Sequence, residues 1–286
     1  MRYNCLYGIN TKLIPSVVKL EEVIPNIEKR IREIELKIFR IKEFKKSTKD
    51  ISNAFNQLVK ELNDFSDGII SQHDIESKVS TSIKSYLTQI KTYLDSTPHL
   101  LKKYISEYPK YEEIFKSATH YEYDNNFHYR FILQYRNYSQ HCDKVYQKVK
   151  KNLQNGKLQI KFSINNKFFV ENFKAMKPEL KKELLLNPES DIDIIEQIQL
   201  MNNSIKTIHV KIINALTTKE LYEDALYLYK IKERYSKFDM FMIMDEKEFK
   251  SASKIGNQTF NTNIIDVGTA YAIIKYYNEN QSSEHK

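Results

Sequence analysis

From Ile27 the chain places isoleucines at 27, 31, 34, 38 and 41, steps of four, three, four and three. Only an α-helix gathers that spacing onto one face. The stripe lies on a strongly charged segment whose Lys and Arg side chains alternate with Glu28, Glu33, Glu35 and Glu43, so the outer face is expected in water. Such a helix packs in a bundle or seeds a dimer. With only five Gly, six Pro and no Trp in 286 residues, interruptions are few and most of the chain is expected to be helical.

The reading along the chain follows from this. Residues 1–25 form an extended or short helical lead-in punctuated by Pro15 and Pro25. A second helix begins near Asp50, with Phe55, Leu58, Val59 and Leu62 inward, and stops at Ser66-Asp67-Gly68. A third runs from about Asp74 to Asp95 on Val79, Ile83, Tyr86, Leu87, Ile90, Tyr93 and Leu94. Pro98 and Pro109 bracket a short helix, and another follows over 111–118. A sixth, opened by Asp124, is expected to continue to Asn152 and complete an up-and-down bundle, with Asn155-Gly156 closing it. Beyond, Leu158–Ile164 alternates like a strand that Asn165-Asn166 turns back into 167–170, a candidate β-hairpin. Helices are expected at 172–186, 191–215 and 218–236, strands at Met240–Met244 and Thr262–Val267, and a last helix over 270–277. The fold class is therefore mainly α: an N-terminal helical bundle over residues 1–153, then a small α+β region over 154–286.

Chemistry is concentrated in one segment of this scaffold. Asn126, Arg130, Gln134, Asn137 and His141 succeed one another at helical steps on a single polar face, bordered by Phe127, Phe131, Ile132, Tyr135 and Tyr138. A polar stripe between apolar margins is expected at a cleft or subunit interface. Arg136 lies off that stripe, about 140° and about 7.5 Å from His141 on an ideal helix. One copy alone pairs them poorly, so either the helix end distorts or a second copy supplies the partner across a two-fold axis.

Arg136-Asn137-Tyr138-Ser139-Gln140-His141 resembles the Arg-polar-x3-His motif of the HEPN superfamily of helical ribonucleases and RNA-binding modules. The wider run, Tyr123-Asp124-Asn125 and Tyr129-Arg130-Phe131 before it, is similar to an uncharacterised bacterial HEPN-like group; the likeness covers about twenty residues. It implies a metal-independent endoribonuclease without cofactor, with Arg136 and His141 as catalytic pair and Asn137 in support, in a composite site of a homodimer. It also implies a toxin or antiviral role, and an antitoxin or regulatory protein as a further partner. Arg130, Gln134, Lys144 and Lys148 are the expected substrate contacts. Where some toxin members carry a tyrosine two residues after the histidine, modified by a partner nucleotidyltransferase, this chain has Asp143. The rivals are a non-catalytic RNA-binding module and a helical interaction protein.

Charge is compatible with RNA. The net +8 favours an anionic partner, most of the excess lies before residue 150, and Lys144, Lys148, Lys150, Lys151, Lys157 and Lys161 form a basic run that could follow a phosphate backbone. Two cysteines, Cys5 and Cys142, are too few for a disulfide framework and point to a reduced, cytoplasmic setting. The start of the chain lacks the apolar core of a signal peptide, and no apolar run approaches a membrane span. No Gly-rich phosphate loop or metal-ligand spacing occurs. His128 and His209 are expected to be structural.

Overall fold

A computed structural model describes residues 4–11, 16–71, 73–105, 107–141, 145–154, 157–254 and 264–284. In chain order the elements are β1 (Asn4–Asn10), β2 (Ser16–Val23), α1 (Pro25–Lys46), α2 (Lys49–Ser66), α3 (Asp74–Tyr104), α4 (Tyr108–Asn125) and α5 (Phe127–Ser139). There follow β3 (Lys148–Gln154), β4 (Lys157–Asn165), α6 (Asn166–Asn172), α7 (Pro178–Leu184), β5 (Asp191–Asp193) and α8 (Ile194–Leu216). The last are α9 (Lys219–Arg234), β6 (Met240–Asp245), α10 (Glu246–Lys254), β7 (Ile264–Ile265) and α11 (Val267–Glu284). The protein is mainly helical with a smaller α+β part, and no helix among the described residues is long and apolar enough to cross a membrane.

The chain divides into two compact units, Met1–Phe44 with Asn214–Lys286, and Lys45–Ile213. The boundary expected at 153/154 falls inside the second unit, within the strand β3 that pairs with β4.

The first unit is built on an antiparallel sheet of order β2-β1-β6-β7. The lead-in is thus a strand pair, and its inner strand β1 is buried at Cys5, Leu6 and Tyr7. The isoleucine helix behaves as its spacing requires: Ile31, Ile34, Ile38 and Ile41 of α1 are buried and Ile27, at the first turn, is exposed. Arg32 of α1 donates to the Ile243 carbonyl of β6 at 3.2 Å, and Lys37 reaches Glu220 and Asp224 of α9 at 2.6 and 2.7 Å. Stacked rings tie α9 to α11, Tyr222 on Tyr277 and Tyr229 on Tyr271. Gly8 of β1 lies under the Phe238 ring, where a Cβ would come within 2.5 Å of it. The methionine-rich strand β6 is core, with Phe241, Met242 and Ile243 buried.

The second unit packs α2 on α3, and α3 on both α4 and α5, beside a three-stranded antiparallel sheet of order β3-β4-β5. On α2 the most buried apolar positions are Ile51, Ala54, Leu58 and Phe65, with Phe55, Val59 and Leu62 half-buried, and the helix stops at Ser66 before Gly68 at φ +76°. Three expectations are corrected here. Pro98 does not divide a helix: α3 passes through it, held by buried Tyr93, Thr97 and Leu101, with the Thr97 hydroxyl donating to the Tyr93 carbonyl at 2.7 Å. Burial on both sides of the proline outweighs the lost backbone hydrogen bond. The motif helix ends at Ser139 rather than Asn152, because 148–154 is the strand β3, paired with β4 from Lys148↔Ser163 to Gln154↔Lys157. The hairpin therefore precedes 158–164 instead of following it. Asn165 does not turn the chain back but caps α6, its side chain accepting from the Phe168 N–H at 3.2 Å. Phe169 and Phe173, four apart, then meet the α5 rings on one helical face.

Candidate functional site

The motif helix α5 is fixed by an aromatic column. Phe127, Phe131 and Tyr135 stack successively, Phe131, Tyr135 and Tyr138 meet Phe169 of α6 edge-on, and Phe131 and Tyr135 are fully buried. Edge-to-face and stacked rings set the rotation of a helix more tightly than aliphatic contacts. The polar face is thereby turned away from this column.

Most of that face is engaged in the fold. Asn126 donates to Glu122 at 2.8 Å. Arg130, 15% exposed, grips Glu183 of α7 through Nε and Nη2 at 3.0–3.2 Å and donates from Nη1 to the Tyr123 and Asp124 carbonyls. Gln134 is buried and accepts from the Lys177 N–H at 3.3 Å. The segment from Lys177 to Glu183 therefore covers the first two turns of the stripe. Two of the expected substrate contacts, Arg130 and Gln134, thus have hydrogen-bond partners within the fold.

The uncovered end carries the motif. Arg136 is half-buried, with a buried Nε that has no hydrogen-bond partner among the described residues, and its Nη1 donates to the Asn137 Oδ1 at 3.2 Å. Asn137 is exposed. His141 is exposed just beyond the end of α5, its N–H donating to the Tyr138 carbonyl at 3.0 Å. No hydrogen bond joins Arg136 to His141 among the described residues, so the structure brings Arg136 and Asn137 together and leaves His141 facing solvent nearby in sequence. A guanidinium with a buried stem and outward nitrogens is preorganised to receive a phosphate, and an exposed imidazole can exchange protons with whatever docks there.

The basic run is largely neutralised. Lys148 and Lys150 meet Asp191 at 2.7 and 3.5 Å, Lys161 meets Asp193 at 3.8 Å and Lys151 meets Glu76 at 3.9 Å. The Lys148 ammonium holds the Asp191 carboxyl below its ordinary range. Lys144, another expected substrate contact, lies outside the described residues, as does Cys142.

Two arrangements escape a reading by local spacing, because their members come from separate helices. The first is a buried chain: the Ser204 hydroxyl of α8 donates to Glu122 of α4 at 2.5 Å, and the Nε2 of His128 on α5 lies 2.8 Å from the same hydroxyl. With the hydroxyl hydrogen on Glu122, Nε2 is the donor, and burial lowers the affinity of His128 for a proton. Ser204 and Glu122 are each only 5% exposed, which leaves no approach for a substrate and makes this a structural link. His209, similarly, has its Nδ1 3.4 Å from the Tyr93 hydroxyl, and burial, aided by the Lys45 charge, lowers its pKa to about 4. The second arrangement is a cavity of about 390 Å³ lined by Leu94, Phe115, Thr119, His120, Tyr123, Tyr129, Leu133 and Lys177.

In comparison with known proteins, the chain matches no protein-family model, no curated protein and no solved structure.

Proposed function

We propose that this chain is a metal-independent endoribonuclease that acts as a homodimer, with Arg136, Asn137 and His141 as its catalytic residues. The observation that carries this reading is the free end of α5. Arg130 and Gln134 are engaged by the fold, while the half-buried Arg136 and the exposed Asn137 and His141, at and just beyond the helix end, bond no other element through their side chains among the described residues. His141 transfers a proton, either from the ribose 2′-hydroxyl or to the departing 5′-oxygen. Arg136 stabilises the charge that builds on the scissile phosphate, and Asn137 orients the guanidinium through the bond it already accepts. A second copy placing its His141 opposite Arg136 completes the site that one copy leaves open. Attack by the 2′-hydroxyl leaves a 2′,3′-cyclic phosphate and spares DNA. A toxin or antiviral role in the cytoplasm, under an antitoxin or other regulatory protein, follows from the same reading.

The test is incubation of labelled tRNA and mRNA with the purified chain in EDTA, beside His141→Ala. Cleavage by the wild type alone, with cyclic phosphate ends, is expected. A folded wild type that leaves every RNA intact while binding it would replace the nuclease with an RNA-binding module. Neither cleavage nor binding would favour a helical interaction protein.

A further inference from the structure

The cavity beside α5 is graded in polarity. Phe115 and Tyr129, both buried, form its floor, while Leu94, Thr119, Tyr123 and Leu133 are half-buried walls. His120 and Lys177 are exposed at its rim. The Lys177 ammonium sits 4.9 Å from the Tyr123 ring centre, so its position is set by a cation–π contact as well as by the backbone bond to Gln134. A flat apolar body with one negative end suits such a site, and a volume of about 390 Å³ is within the range of small-ligand pockets. Aromatic walls that hold a base by stacking, with a cation for its phosphate, are how proteins bind unpaired nucleotides.

Position strengthens the match. On an ideal helix Leu133 lies about 60° and about 4.5 Å from Arg136, and Tyr129 about 20° and about 10 Å from it. The cavity and the guanidinium therefore share one side of α5, within one to two turns. A single strand laid along that side meets both.

We propose that this cavity is a nucleotide subsite for the RNA strand, holding one base among Phe115, Tyr123 and Tyr129 and its phosphate at Lys177. As a substrate subsite it rests on the nuclease reading given above. Its occupancy does not, and the two are separable by experiment. Adenosine 5′-monophosphate and adenosine serve as probes in calorimetric titrations of the full chain, with melting temperatures recorded for each variant. Thr119→Trp, which fills the cavity, is expected to weaken binding of the monophosphate by about tenfold or more. Lys177→Gln, at an exposed position that keeps the backbone bond, weakens the monophosphate several-fold and leaves adenosine unchanged. His141→Ala binds both like the wild type, and short single-stranded RNA displaces the monophosphate. If the wild type binds no monophosphate, or if Thr119→Trp and Lys177→Gln bind it undiminished, the site is not a nucleotide site. Failure of RNA to displace it would make a free nucleotide the occupant and overturn the strand assignment. In RNA cleavage, Thr119→Trp raises KM more than it lowers kcat. Absence of cleavage by a wild type that still binds both ligands would remove the nuclease reading alone.

Discussion

Arg130 and Arg136 lie on the same helix in opposite electrostatic situations. Arg130 is held by a carboxylate and two carbonyls, whereas among the described residues the Nε of Arg136 is buried without an acceptor and its Nη1 donates to Asn137. Removing the partner of a mostly buried guanidinium leaves an uncompensated charge, so Glu183→Ala is expected to cost about 2–4 kcal/mol in urea denaturation. Arg136→Ala, by contrast, should change stability by less than about 1 kcal/mol while abolishing RNA cleavage. His209 supplies a pH-dependent counterpart. Because its pKa in the fold, about 4, lies below the ordinary 6.5, the folded state binds fewer protons than the unfolded chain. Its contribution is complete above about pH 6.5 and is lost as the pH falls towards 4, amounting to about 3 kcal/mol at most. Denaturation curves at pH 7 and 4.5 should show this loss, and His209→Asn should flatten it. The sequence placed Asn126, Arg130, Gln134, Asn137 and His141 on one face, but spacing cannot reveal which of them another segment will cover. That depended on Lys177 and Glu183, remote in sequence and bearing no motif.

Among the elements, long stripes were the most legible. Four isoleucines of α1, from Ile31 to Ile41, and the run from Val79 to Tyr93 on α3 are buried where their periods put them, and Thr218 caps α9, accepting from the Leu221 N–H at 3.2 Å. Punctuation was less reliable. The positions Tyr138, Cys142, Val145 and Val149 satisfy a helical period, while Val145, Val149 and Leu153 also fit alternation; pairing with β4 decides for the strand over 148–154. Asn155-Gly156, expected to close the bundle, lies outside the described residues, and the segments on either side of it are the paired strands β3 and β4. The start of the chain hid its strands because β1 is covered on both faces and so shows a continuous apolar run instead of alternation. That crowding has a measurable consequence at Gly8. A methyl group there meets the Phe238 ring, so Gly8→Ala should lower stability by about 1–3 kcal/mol, read as a drop in the urea midpoint.

For the whole molecule, the proposed dimer makes a prediction that no single variant can make. If each centre combines Arg136 of one copy with His141 of the other, Arg136→Ala and His141→Ala are each inactive, yet mixing and re-equilibrating them forms dimers with one intact centre. Such a mixture should recover about a quarter of wild-type cleavage. Recovery of nothing from a verified mixed dimer would place both groups of a centre on one copy. The division of the chain is a second large-scale property. Lys45–Ile213 is continuous, contains its own buried core and carries α5 complete. A fragment spanning 45–216, which keeps α8 whole, is expected to unfold cooperatively by circular dichroism. The other unit has no such fragment, because β1 pairs with β6, from Asn4↔Asp245 to Ile9↔Met240. During synthesis β1 must therefore wait for β6 to leave the ribosome before its second edge is paired, while the unit Lys45–Ile213 can close as soon as α8 emerges. A nonsense codon shortly after α8 would then release a polypeptide with α5 already folded and β1 still without its neighbour β6.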